Sequence, residues 1–94
     1  MLKITENFET ANTVRLRLDG TLSNDTFGEL ADAYMAYRDD LGRTVILDMA
    51  GVEFMNDEAA LGLINMRNER LRIINCSPFI ATLLETISRA ELRQ

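Results

Sequence analysis

The chain has 94 residues, 47% of them hydrophobic and 27% charged, so its length suits one domain whose core folds without disulfide or metal support. A formal net charge of −5, with arginines mostly dispersed, argues against nucleic-acid binding, because tracking phosphates requires a concentrated basic face. The single cysteine excludes an internal disulfide, and no segment approaches the roughly 20 apolar residues of a membrane span, so we expect a cytoplasmic protein without membrane insertion.

Two strands are predicted at the start of the chain. Residues 2–8 (LKITENF) alternate apolar and polar side chains. Residues 13–19 (TVRLRLD) alternate strictly, with Val14, Leu16 and Leu18 on one face and arginines on the other. This second pattern indicates a strand with one buried and one exposed face.

A helix and a central strand are predicted next. In residues 22–42 (LSNDTFGELADAYMAYRDDLG), Ser23 or Asn24 can cap a helix that Gly42 ends. Its apolar positions recur at helical spacing and are Phe27, Leu30, Ala31, Tyr34 and Met35. The apolar run in residues 43–49 (RTVILDM) is typical of a strand buried on both sides. We therefore expect helices on both faces of the sheet.

A short helix, a strand and a final helix are predicted for the rest of the chain. Asn56 can cap the short helix, because an Asn side chain accepts hydrogen bonds from first-turn N–H groups. The strand is residues 71–76 (LRIINC), and Ser77 then caps the last helix, with Pro78 at its first position. The predicted buried stripe of that helix comprises Phe79, Ile80, Leu83, Leu84 and Ile87.

The predicted element order, β-β-α-β-α-β-α, is typical of an α/β domain. We expect a mixed sheet of four to five strands, mainly parallel after the first hairpin, covered by three to four helices. No linker or internal repeat divides the sequence, so residues 1–94 are predicted to form one domain.

The residues that enzymes use for catalysis are sparse. The sequence has no histidine, the commonest general base, and its glycines form no GxGxxG or GxxxxGK[ST] phosphate-binding pattern. Cys76 lies at a predicted strand end in an apolar context, which favours a buried structural thiol over a nucleophile. We expect no enzymatic activity and no cofactor.

Four acids lie around the exit of the third predicted strand: Asp48, Glu53, Asp57 and Glu58. A divalent metal could bind such a cluster, or two of the acids could form an acid/base pair. Acids at a helix start already have a structural role, however, because they interact favourably with the helix dipole. A solvated acidic loop and helix start is therefore the preferred interpretation, and no metal site is predicted.

Three segments resemble the STAS domain, the family of anti-sigma factor antagonists and of the cytoplasmic tails of sulfate transporters. VILDMAGVEFM, residues 45–55, is similar to the family's buried strand and the turn after it. INCSPFIATLLETI, residues 74–87, is similar to its later strand-to-helix corner, and LRLDGTLSNDTFGEL, residues 16–30, to its opening. The likeness covers residues 12–92 and depends on the combination of segments.

The resemblance implies a non-catalytic module that docks on a switch kinase, an anti-sigma factor or a scaffold protein through loop 52–58 and the helix after it. The implied contact residues are Glu53, Phe54, Met55, Asn56, Asp57, Glu58 and Ala59. In the family's regulatory members, a partner kinase phosphorylates a Ser here and switches binding off. Asp57 stands in its place, which implies a fixed negative charge and no phosphorylation at this position.

Several alternatives remain open. The domain could instead regulate a membrane transport system, as a transporter tail or a cytosolic accessory subunit, because a missing phosphorylation site fits that role equally well. A third hypothesis is a sensor of a small ligand or nucleotide in the same fold. At single residues, Phe54 is equally compatible with the core, and the segment 56–59 with a simple helix cap.

Overall fold

The chain folds into four strands and three helices in a computed structural model that describes residues 1–38 and 42–92. The strands are β1 (Leu2–Thr10), β2 (Thr13–Leu22), β3 (Thr44–Met55) and β4 (Leu71–Ile74). The helices are α1 (Phe27–Arg38), α2 (Asp57–Met66) and α3 (Pro78–Leu92). The predicted order β-β-α-β-α-β-α is confirmed.

The four strands form one mixed sheet in the order β1-β2-β3-β4. β1 and β2 are an antiparallel hairpin, in which Ile4 lies opposite Leu18. β3 runs parallel to β2 and to β4, and Leu47 lies beside Leu16 on one side and Ile73 on the other. The predicted mixture of one antiparallel hairpin and parallel strands is therefore confirmed.

One face of the sheet carries the hydrophobic core. Alternate residues of β2 and β3 point to this face, and each helix adds buried residues to the same cluster. Its fully buried members include Val14, Leu16, Leu18, Leu30, Leu47, Met49, Leu63 and Ile80. Since one cluster receives all three helices, they all lie on this face. Met35, predicted to face the core, is exposed because it lies on the outer side of α1.

The opposite face of the sheet, which we call the open face, receives none of the described helices, so the prediction of helices on both faces is wrong. Ile46 and Asp48 of β3 are nevertheless buried there. Ile46 lies between Arg15 of β2 and Arg72 of β4, whose long side chains can cover apolar surface while keeping their charges in water. β3 is thus buried on both sides, as predicted, but helices cover one face and long side chains of neighbouring strands cover the other.

β3 continues six residues beyond the predicted end at Met49. Its register with β2 advances by one extra β3 residue after Arg17 and again after Gly20. Each such β-bulge reverses the parity of the side chains that follow it. The inward-facing residues of this stretch are consequently Met49, Val52 and Met55. This spacing of three hides the strand from a search for strict alternation.

α1 begins at Phe27, later than predicted, because residues 23–26 form a turn. The hydroxyl of Thr26 donates to the carbonyl of Thr21 at 2.9 Å and accepts from the N–H of Ser23 at 3.0 Å. These bonds hold the chain in the turn rather than the helix. The predicted end of the helix, just before Gly42, lies outside the described residues.

Candidate functional site

The predicted contact residues lie where β3 passes into α2. The structure places no loop over residues 52–58, because β3 runs to Met55 and α2 begins at Asp57. Asn56 alone separates the two elements. The prediction that residues 52–58 form a loop is therefore wrong, and the predicted contact residues lie on a strand end and the first turn of a helix.

The structure divides the seven residues into a buried and an exposed group. The side chains of Met55 and Ala59 are buried in the core, where they cannot be reached by a partner, and Asn56 is half-buried. The exposed side chains are Glu53, Phe54, Asp57 and Glu58. Any contact surface here is therefore built from one aromatic ring and three carboxylates.

Asn56 fixes the start of α2, as predicted for a helix cap. Its side-chain oxygen accepts a hydrogen bond from the N–H of Ala59 at 2.9 Å. Its side-chain amide donates to Asn24 at 3.1 Å, and its backbone N–H donates to the carbonyl of Leu22 at 3.2 Å. The cap therefore ties α2 to the end of β2 and to the turn that precedes α1.

Asp57 and Glu58 follow the cap in the first turn of α2. Both side chains are exposed. Their charges lie at the positive end of the helix dipole, which stabilises a surface helix by about 0.3–1 kcal/mol for each charge. The sequence interpretation of these two acids as first-turn residues is confirmed.

Phe54 stacks on Phe79 at the surface. The ring centroids are 6.1 Å apart and the planes differ by 21°. Phe54 is 48% exposed and Phe79 is 52% exposed, so the assignment of Phe79 to a buried stripe is wrong and Phe54 is not a core residue. Phe79 is held by the start of α3, where the Ser77 hydroxyl accepts from the N–H of Ile80 at 3.3 Å, the predicted cap.

A groove of about 540 Å³ opens beside this pair, between α2 and α3. Its lining includes Asp57, Pro78, Phe79, Thr82, Leu83 and Ile87. We call the exposed rings of Phe54 and Phe79 together with this groove the aromatic surface. Sequence reasoning missed its α3 half, although Phe79, Leu83 and Ile87 recur four residues apart and so form a second stripe beside the one through Ile80.

Asp48 does not belong to the solvated acids with which it was grouped. Only 4% exposed, it lies on the open face and accepts hydrogen bonds from the Asn75 side chain and the Ala50 N–H, both at 3.0 Å. Arg15 approaches its carboxylate at 3.6 Å. The Asn75 bond, followed by the Ala50 bond and nearby arginines, outweighs burial and lowers the pKa of Asp48.

β4 ends at Ile74, two residues earlier than predicted, and is followed by Asn75, the hydrogen-bond partner of Asp48. The φ of Asn75 is 60°, in the left-handed region, which Asn tolerates better than most residues. Cys76 follows it and is half-buried, and burial raises the pKa of its thiol. A raised pKa disfavours the thiolate, the nucleophilic form, at neutral pH.

Within residues 1–38 and 42–92, no set of three or more His, Cys, Asp or Glu side chains is arranged to hold a metal ion. The helices of this described part all lack the combination of length and apolar content needed to cross a bilayer. What the candidate site presents is an exposed aromatic pair, an apolar groove and neighbouring carboxylates.

The same arrangement of strands and helices occurs in a solved structure, that of the anti-sigma factor antagonist SpoIIAA in its unphosphorylated form. The TM-score is 0.68, and the match covers 97% of this chain and 98% of that chain. This is the STAS fold. The resemblance inferred from the sequence segments is thereby confirmed for the fold. A sequence identity of 18% supports a shared fold and no more.

Comparison by sequence adds no relative: no protein-family model matches the chain, and no curated protein matches it. SpoIIAA is an antagonist of an anti-sigma factor, a role exerted on another protein.

Proposed function

We propose that this chain is a non-catalytic, cytoplasmic protein-interaction module of the anti-sigma factor antagonist type, which regulates a switch kinase, an anti-sigma factor or a scaffold protein. The observation that carries the proposal is the aromatic surface at the β3–α2 corner of a STAS fold. The lack of any histidine in the sequence supports a role without catalysis.

The aromatic surface has the composition of a binding hot spot. Aromatic side chains at the centre of an interface contribute most of its affinity, and charged groups occupy the rim. Covering the exposed half of Phe54 or of Phe79 would contribute about 1 kcal/mol for each ring. The groove along α3 suits the apolar face of a partner helix.

The negative charge of the β3–α2 corner restricts which partner segments can bind there. Glu53, Asp57 and Glu58 are exposed within four residues of Phe54 along the chain, and no base lies between residues 44 and 66. A partner segment that combines apolar anchors with lysine or arginine would complement these carboxylates, because opposite charges at a rim speed association and exclude wrong partners.

Asp57 is proposed to act as a fixed charge in place of a phosphorylatable serine. It is exposed and lines the groove, so a docking partner would meet its carboxylate. A carboxylate carries about half the charge of a phosphate and fewer acceptor oxygens. The proposed consequence is a weak, permanent form of the phosphorylated state, without a switch at this residue.

The surface is tested by affinity capture from the source lysate with the wild type, Phe79→Ser and Phe8→Ser, followed by mass spectrometry. Phe8 is a matched control, because it is also 52% exposed but lies in β1 beside Tyr37. We expect a kinase-like ATPase that Phe8→Ser retains and Phe79→Ser loses. Equal recovery by both variants would refute the surface, and recovery of transporter subunits would replace this function with regulation of a transport system.

The fixed charge is tested with Asp57→Ser and, as its neighbouring control, Glu58→Ser. Each purified variant is titrated with the captured ATPase, with and without ATP. We expect Asp57→Ser to bind more tightly than the wild type, and ATP to reverse the gain by phosphorylating the new serine. If neither the affinity nor the mass of Asp57→Ser responds, Asp57 serves only as a first-turn acid of α2.

A further inference from the structure

β4 is an open edge of the sheet. Within the described residues, β3 is the one strand that pairs with it. The N–H of Val45 donates to the carbonyl of Arg70 at 2.9 Å, and successive residues of a strand direct their N–H and C=O groups to opposite edges. The backbone N–H and C=O groups of Leu71 and Ile73 therefore point away from β3, toward the open edge. The N–H of Leu71 bonds to the turn at Asn68, which leaves Ile73 at the centre of the open edge.

A groove of about 470 Å³ lies beside this edge, between β4 and α3. Its apolar lining comprises Leu71, Ile73, Cys76, Ala81 and Leu84. A strand added next to β4 would place every second side chain over this groove, while its backbone bonded to the outward groups of β4. An edge with a groove beneath it is the geometry by which proteins bind extended peptides.

The charge around the groove indicates which peptide fits. Arg67 and Arg89 line it, and Arg72 projects from β4 on the other face. Glu85 also lines it and is ion-paired with Arg89, so these two charges cancel and the positive charge is that of Arg67 and Arg72. Residues 67–94 carry five bases and three acids, the reverse of the balance in the rest of the chain. A strand with acidic side chains is therefore complementary to this region.

A second copy of the chain fits the edge less well. Antiparallel pairing of β4 with itself would bring Arg72 near its own counterpart, and like charges across paired strands are destabilising. β4 is also only four residues long, and short, charged edges are a common device against self-association.

We propose that the β4 edge and its groove bind an extended segment of a partner protein, with alternating apolar and acidic side chains, as an added strand. This site lies on the β4 side of α3, whereas the aromatic surface lies on its α2 side. It therefore goes beyond the proposed function and does not depend on it.

The probe is a synthetic peptide of about eight alternating valine and glutamate residues, longer than β4 so that it can span the edge. It is titrated into the isotope-labelled protein and followed by NMR. We expect shifts at residues 71–74 and slower exchange of the Ile73 amide. A peptide with lysine in place of glutamate should bind about tenfold more weakly or worse. Equal binding of both peptides would overturn the charge argument.

Two neighbouring variants on α3 locate the site. Ala81→Phe fills the β4 groove, whereas Thr82→Phe fills the groove of the aromatic surface, and both positions are exposed, so the fold should tolerate either change. We expect Ala81→Phe to weaken peptide binding about tenfold or more and Thr82→Phe to leave it unchanged. Capture of a kinase-like ATPase should show the opposite dependence, so the two proposals fail separately. Undiminished binding by Ala81→Phe would overturn this one.

The added strand itself is tested with a peptide N-methylated at every residue, which cannot donate a backbone hydrogen bond to β4 in either strand direction. This peptide should lose binding. Undiminished binding would show that backbone pairing is not involved. A free protein that sediments as a dimer with a protected Ile73 amide would show that a second copy occupies the edge, which also refutes the proposal.

Discussion

Leu47 and Asp48 are neighbours in β3, and both are buried, yet by opposite means. Leu47 faces the helices and is surrounded by apolar side chains. Asp48 faces the open side, where Asn75, Ala50 and Arg15 satisfy its carboxylate. A sheet face without helices can thus bury a charged residue, provided that each polar atom finds a partner. Apolar packing is tolerant of direction, whereas the Asp48 contacts require particular donors.

The largest effect is expected on the helix-covered face. Leu47→Ala should lower the free energy of unfolding by about 3 kcal/mol, because it removes apolar contacts and leaves a cavity. Urea denaturation measures the loss, with Thr5→Ala, at an exposed position of β1, as control. A loss below about 1 kcal/mol would mean that the helices repack around the smaller side chain.

The corresponding change on the open face should be somewhat smaller. Asp48→Ala is expected to cost about 2 kcal/mol, because the amide of Asn75 and the N–H of Ala50 lose their acceptor. Arg15 keeps Glu9 as a second partner at 3.2 Å, which limits the damage. A stability equal to that of the wild type in urea would show that the polar contacts do not stabilise this face.

Lowering the pH should reduce the contribution of Asp48 on the open face to stability, while the contribution of the apolar core is unaffected. The folded pKa of Asp48 is lowered, so its contribution to stability is present above its unfolded pKa of about 4 and is lost as the pH falls through the folded value. The stability difference between wild type and Asp48→Asn should therefore be constant from about pH 5 to 8 and shrink below about pH 4. The difference for Leu47→Ala should not follow this curve. If the stability difference between the wild type and Asp48→Asn persists at low pH, the ionised carboxylate of Asp48 is not its source.

At Asn75, the effect of losing the hydrogen bond to Asp48 can be separated from the effect of the left-handed backbone conformation. Asn75→Ala should cost about 1–2 kcal/mol, because it removes the hydrogen bond to Asp48 and places alanine at a positive φ. Asn75→Gly also loses the bond, but relieves the backbone, and should cost about 1 kcal/mol less. Thermal unfolding compares the two variants. Equal losses would show that the φ of 60° carries no strain.

The smallest effect is expected for an acid that is exposed on the same face. Asp19 pairs with Arg17 at 3.3 Å, and both side chains are well exposed to water. Asp19→Ala should leave the urea midpoint unchanged within error, because solvent screens exposed ion pairs. A loss similar to that of Asp48→Ala would remove the distinction between buried and exposed carboxylates on the open face.

The sequence was informative where its pattern had one cause. TVRLRLD alternates because only one face of β2 is buried, and its strand was predicted from the observed start at Thr13, although β2 continues three residues beyond Asp19 to Leu22. In β3, burial of residues 45–49 was also correct, but the same apolar run results from helices on one side and from arginine stems and polar partners on the other. Composition does not distinguish these two coverings.

The candidate site was predicted less well, for two physical reasons. The bulges in β3 placed Met55 inside and Phe54 outside, and strand parity cannot be counted through bulges that leave no mark in the sequence. The other reason is that α3 has two apolar stripes. Phe79 begins one of them and is exposed, although Leu83 and Ile87 in the same stripe are partly buried against the core, and periodicity alone does not say which positions are covered. Both outcomes depend on tertiary packing.

The two bulges also determine where β3 can change in length. Deleting one residue next to a bulge removes the bulge and leaves the residues beyond it facing as before. The same deletion between residues 45 and 48, where the pairing with β2 is regular, would turn the side chains between it and the first bulge to the opposite face. The segment leading to Phe54 should therefore tolerate single-residue deletions that the centre of the strand does not.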